Sequence, residues 1–339
     1  MTTPGLGRAT AIGSWPGTDP VEAIRTSFGE LGEPPHLPVL PVLPERGPGA
    51  DLVGRAAGLL VDVPVDLQPS GWRLVDHAGR DLRRAHSWLR QDLDVLAEVA
   101  DGYVGPLKLQ VAGPWTLVAS LWLPRLERAV VDPGACRDVV DSLAEGVSRH
   151  VAEIAAMLPG AELVLQLDEP SITGVLSGSI PTASGFGRIR AVDEQVVVDG
   201  LARVVEAAVR AGAGTVLHCC AATPPVQLLA RSGAAALSVD VGLLGPRGWE
   251  QVAVAVEAGV ALWAGAVPVA DPAGDRTPEA ALVEAITRPW HKLGLAQERL
   301  PAVVVTPTCG LATLGPAAAR RVLAHTVRVA ATLAQRAEG

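Results

Sequence analysis

From Leu107 onward the chain alternates two kinds of segment. Leu107–Ala112, Glu162–Asp168, Thr215–Cys220, Ala236–Val241, Ala261–Val267 and Ala302–Pro307 are short and mainly apolar. The stretches Pro133–Leu158, Val192–Gly212, Pro224–Arg231, Gly248–Ala258, Thr277–Leu293 and Pro316–Ala337 read as helices, with Thr277-Pro278 as a cap and first turn. A strand that is repeatedly followed by a helix implies a parallel sheet.

Upstream the rhythm is looser. Ala9–Ser14 is a short apolar run, and Asp19-Pro20 then starts a helix to about Leu31. His36–Leu43 is a second run, although Pro38 and Pro41 weaken its pairing. Ala50–Leu60 and Asp92–Val99 are expected as helices, and Asp62–Arg73 as a hairpin or an extended excursion. Ser171–Arg190 is expected as a loop. Counting both early runs gives eight strands. The expected fold is therefore a (β/α)₈ TIM barrel, one domain over residues 1–339, with an irregular excursion between the second and third strands. An open doubly wound sheet is the weaker alternative, because no Gly-x-Gly-x-x-Gly follows the first strand.

Composition narrows the function. The chain is 49% hydrophobic and 19% charged, enough for a sizeable core. Its net charge is −8 and its arginines are dispersed, which argues against nucleic acid as a partner. No long uncharged apolar run predicts a membrane span, and the first residues lack a secretory pattern. Four unevenly spaced cysteines do not form a disulfide framework, so a reducing cytoplasm is expected.

In a barrel of this kind the chemistry sits at the C-terminal ends of the strands. Ser14, Asp168, Glu169, His218, Cys220, Asp240 and Cys309 all fall there. His218 and Cys220 are two residues apart, so both point to one side of an extended segment. With Asp240 and Cys309 they would supply one nitrogen, two thiolates and a carboxylate, a set suited to Zn²⁺. The carboxylate is the ligand that an incoming thiol would displace. The bland alternative is that His218 caps a loop and the cysteines pack in the core. Cys219 should point away from the metal, and Cys136 is expected to be structural. Asp168 is either a strand-end cap or a substrate ligand. Glu169 is either a salt-bridge partner or a support for a ligand. His36, His77, His86, His150, His291 and His325 show no ligand spacing. Trp15, Trp72 and Trp115 fall at strand exits, where packing and lining a flat cofactor's pocket are both open.

Four motifs carry a resemblance: Ile12-Gly13-Ser14-Trp15-Pro16, Gln166-Leu167-Asp168-Glu169-Pro170, His218-Cys219-Cys220 and Thr306-Pro307-Thr308-Cys309-Gly310-Leu311. In order and spacing the chain resembles the C-terminal catalytic barrel of cobalamin-independent methionine synthase. The resemblance implies zinc on His218, Cys220, Asp240 and Cys309. It implies a homocysteine site on Ile12, Ser14 and Asp168, and Glu45 as a candidate for the substrate amine. The reaction it implies is methyl transfer to a zinc-activated thiol, giving methionine. Three departures qualify it. The acidic ligand is aspartate rather than the usual glutamate. No histidine lies between His218 and His291, where the family carries a general acid. The family's N-terminal folate-binding barrel is not in this sequence. The methyl donor is accordingly left open between methyl-folate and a methyl-corrinoid, with a corrinoid protein as a possible partner. The competing readings are a catalytically silent zinc-binding barrel with a structural or partner-binding role, and a methyltransferase for another thiol. A decarboxylase-like relative ranks last, because it has no need of the thiolate pair.

Overall fold

The computed structural model describes residues 7–124, 127–269 and 277–338. Six parallel strands follow one another in sequence order: β3 (Gly105–Ala112), β4 (Ala161–Asp168), β5 (Gly214–Cys219), β6 (Ala236–Asp240), β7 (Ala261–Val267) and β8 (Val304–Pro307). Strands β1 (Val65–Gln68) and β2 (Gly71–Leu74) form a separate antiparallel hairpin within the stretch expected to be a hairpin or an excursion.

The two early runs are not continuous strands. They form isolated parallel bridges, Ala9 to Val305, Thr10 to Leu37, Ser14 to Val42 and Val39 to Lys108. Pro38 and Pro41 have no N–H to give a ladder, and Gly13 takes a φ of +144°. The bridges nevertheless run from β8 through both segments to β3.

Eleven helices accompany the strands among the described residues. Several begin where aspartate and proline dictate. Asp19 caps Val21 N at 2.8 Å before Pro20 in α1 (Pro20–Leu31), and Asp132 caps Gly134 N at 2.7 Å before Pro133 in α5 (Pro133–Met157). Helix α2 (Leu52–Ala57) is shorter than expected, whereas α3 (Arg80–Val99) starts three turns earlier. Two further helices lie outside the expected set, α4 (Pro114–Ser120) and α6 (Ile172–Ser177). Helices α7 (Glu194–Arg210), α8 (Val226–Ala230), α9 (Pro246–Glu257), α10 (Glu279–Lys292) and α11 (Pro316–Glu338) follow the expected order. No described helix is long and apolar enough to cross a membrane.

Strand alternation sorts the core into two parts. Leu107, Leu109, Leu163, Leu165, Leu217, Cys219, Leu237 and Val239 point outward into the main apolar cluster with the helices. The other face carries a small separate cluster of Leu37, Val216, Ala236, Trp263 and Val304. Closer to the C-terminal ends of the strands stand buried polar groups: Gln110, Gln166, Asp168, His218, Ser238 and Thr306. The concave face of the sheet thus has an apolar floor and a polar storey above it.

Candidate active site

Parallel register assembles the polar storey. Asp168 stands opposite His218 across β4 and β5, and His218 opposite Ser238 across β5 and β6. Asp168 Oδ1 lies 2.8 Å from His218 Nδ1. Asp168 also accepts from Gln166 Nε2 at 2.7 Å. A carboxylate on one ring nitrogen fixes the plane of the imidazole and leaves Nε2 for a ligand.

The two thiols at the strand exits are also paired. Cys220 and Cys309 are hydrogen-bonded to each other. That hydrogen bond lowers the Cys309 pKa to about 6, against the opposing effect of burial, and it raises the Cys220 pKa. Cys219 faces the core, where burial pushes its thiol up to about 11. Cys136 is likewise buried and raised to about 11 by desolvation.

The first and last motifs meet. Leu311 N donates to Ser14 O at 2.9 Å. Gly310 packs so tightly on Ser14 that an added Cβ would run into the hydroxyl. The Ile12 carbonyl turns inward and accepts from Lys108 Nζ at 2.7 Å and from Gln166 Nε2 at 2.9 Å. Gly13 is required by its positive φ and by the Gln110 side chain beside its α-carbon.

Two expected site residues bond to backbone N–H groups of nearby loops. Asp240 Oδ1 accepts from Gly242 N at 2.9 Å, and the carboxylate also caps Leu243 N in its own turn. Burial raises its pKa despite those bonds. Glu45 is exposed and accepts from Gly17 N at 3.0 Å, tying its turn to the Ser14 loop. The same turn is anchored by Arg46, whose Nη2 lies 2.7 and 2.8 Å from the two oxygens of Asp92. Arg55 also contacts Asp92, so two buried guanidiniums share one buried carboxylate.

The Glu169 carboxylate caps a helix. It is fully buried and accepts from Trp115 N, Thr116 N and Thr116 Oγ1 at 2.9, 2.8 and 2.7 Å, capping the start of α4. Burial raises its carboxyl to about 7, opposed by those three bonds. Trp15, Trp72 and Trp115 are at most 5% exposed and pack in the core, and Trp115 also lines a large cleft against α5 and α7.

Among the described residues, no three His, Cys, Asp or Glu side chains stand together in a metal-holding cluster. The donors still suit zinc in kind. One oriented imidazole and two paired cysteines stand at the ends of β5 and β8. A cleft of about 910 Å³ lies elsewhere, against α5 and α7, and none of these donors lines it.

A family model described as the catalytic domain of cobalamin-independent synthase matches residues 8–332. The chain belongs to this family. Among solved structures it is similar to a B12-independent methionine synthase from Shewanella sp. W3-18-1 in complex with selenomethionine. That likeness has a TM-score of 0.61 at 13% identity and covers 98% of each chain, which speaks to the fold. A GH5_18 protein from Streptomyces cattleya is similar with a TM-score of 0.44 at 17% identity, over 97% of this chain and 81% of that one. No curated protein matches the sequence. For a cobalamin-independent synthase domain, the meeting of Ser14 with Gly310 and of Asp168 with His218 joins the four motifs in two pairs at one end of the sheet. Lys108 is the interior residue that motif reading missed. Its signal was a lone charge inside the apolar run Leu107–Ala112.

Proposed function

We propose that the protein is a methyltransferase that moves a methyl group to the thiol of homocysteine, forming methionine. The observation that carries this reading is the Cys220–Cys309 pair beside an imidazole held by Asp168, in a chain of the cobalamin-independent synthase family. In this reading the six strands and the two bridged segments form a (β/α)₈ barrel and a single domain. His218, Cys220 and Cys309 hold zinc. Asp240 is the fourth ligand once its carboxylate leaves its turn. Bound zinc lowers the pKa of a coordinated thiol and makes it nucleophilic at neutral pH.

The chain's own residues do the rest. Asp168 holds the His218 ring and offers negative charge to the ammonium of the amino acid. The Ile12–Ser14 segment, pinned through the Ile12 carbonyl, receives the amino-acid backbone. Glu45, tied to Gly17, closes the amine side. A folate amine leaving group needs a proton, and the sequence has no histidine between His218 and His291 to give one. This favours a donor whose leaving group needs none, such as a methyl-corrinoid. The same absence favours a second reading, a zinc-holding domain without turnover. Four free cysteines fit a cytoplasmic setting.

The test offers homocysteine to the zinc-loaded protein with methyl-folate, methylcobalamin or S-methylmethionine. Methionine formed from any of them supports the proposal. Stoichiometric zinc with no methionine from any donor overturns it in favour of the silent domain.

A further inference from the structure

Lys108 is a fully buried ionisable group that the proposed chemistry leaves unused. It is 0% exposed and arises on β3 opposite Val164, level with the apolar floor. Its side chain climbs from there to the polar storey and ends between two oxygens, Ile12 O at 2.7 Å and Gln166 Oε1 at 2.8 Å. Burying an amine costs several kcal/mol unless its hydrogens are used. Burial accordingly lowers its pKa to about 7, with Asp168 acting the other way.

The contacts form a chain with a direction. Lys108 Nζ can only donate to the oxygens it faces, and even a neutral amine has two hydrogens to give them. Gln166 must therefore present Oε1 to Lys108 and its NH₂ group to Ile12 O and Asp168 Oδ1. A reversed amide would set its NH₂ against the amine and its oxygen against the carboxylate. Asp168 Oδ1 then receives Gln166 on one side and His218 on the other. Asp168 Oδ2 has no hydrogen-bond partner among the described residues.

We propose that Lys108 is a positioning residue that, through the Gln166 amide, sets the Ile12 carbonyl and the Asp168 carboxylate in the orientation that the amino-acid and metal sites require. It touches neither ligand itself. The proposal rests on the homocysteine and zinc reading above. It adds that the polarity of the site is set from one lysine at floor level.

The experiment compares Lys108→Met, Gln166→Leu and the double variant with the wild type. Methionine fills the volume of the lysine stem without a donor. Two readouts are taken: zinc affinity by chelator competition, and homocysteine binding by calorimetry on the zinc-loaded protein. Lys108→Met is expected to weaken both by roughly 10-fold or more, with the melting temperature kept. The double variant is expected to lose no more than the single ones, because one relay has been cut twice. Unchanged affinities in Lys108→Met overturn the proposal, as does a fall in melting temperature alone or full additivity. If the wild type holds zinc but no homocysteine, the substrate reading fails while the zinc arm still judges Lys108. If the wild type binds neither, both fall.

Discussion

Gly310 lies so close to Ser14 that a Cβ built on it would fall on the Ser14 hydroxyl. Gly310→Ala must therefore turn that hydroxyl out of its place or move the Cys309 turn. The expected result is a homocysteine affinity at least about 10-fold weaker, with the circular dichroism spectrum unchanged. Calorimetry on the zinc-loaded variant checks it. A variant that binds as tightly as the wild type shows that the two loops do not shape one site.

Cys309 is exposed and hydrogen-bonded to Cys220, whereas Cys136 and Cys219 are buried with thiols raised to about 11. In zinc-free protein at pH 7, iodoacetamide should therefore modify Cys309 first, since the thiolate is the reactive form. The rate should fall as pH drops through about 6. Saturating zinc should suppress the labelling, and Cys309→Ser should abolish stoichiometric zinc binding. Peptide mass spectrometry and metal analysis read these outcomes. Unchanged zinc content in Cys309→Ser removes this cysteine from the ligand set.

Glu169 makes stability depend on pH in an unusual direction. Its folded pKa, raised to about 7, lies above the ordinary value of 4.5. Between those values the folded state binds the extra proton, so this group's contribution falls as pH rises from about 4.5 to about 7. The difference is on the order of 3 kcal/mol at about 1.4 kcal/mol per pKa unit. Urea denaturation across that window should show the decline, and Glu169→Gln should flatten it. A slope equal in both proteins assigns the pH dependence to other groups.

Asp92 pairs with two guanidiniums, Arg46 and Arg55, with side chains no more than 6% exposed. Asp92→Ala strands both charges in the interior and should cost about 3–5 kcal/mol. Because Arg46 adjoins Glu45, it should also loosen the turn that meets Gly17. A urea midpoint within error of the wild type contradicts this.

The six later strands were legible because each apolar run is followed by a helix. Ala9–Ser14 and His36–Leu43 were also visible as runs, but prolines and Gly13 reduce them to isolated bridges. The first turns of α3 were hidden by Arg80, Asp81, Arg83 and Arg84, which mask the buried Leu82 and Ala85. Helix α4 is buried along nearly its whole length, so it shows no polar face to mark a helical period. At the site, strand-end placement put Asp168, His218, Cys220 and Cys309 at one rim. It did not foresee the bond from Asp168 to His218 or the bonds Asp240 makes within its own turn. It also did not anticipate Lys108, because a single charge in an apolar run says nothing about what it reaches.

The floor of Leu37, Val216, Ala236, Trp263 and Val304 closes the concave face from one side. If homocysteine seats on Asp168 as proposed, the methyl donor would have to enter above it. Binding should then be ordered, with the amino acid first and the methylated product last to leave. The shape of the sheet would set the sequence of events.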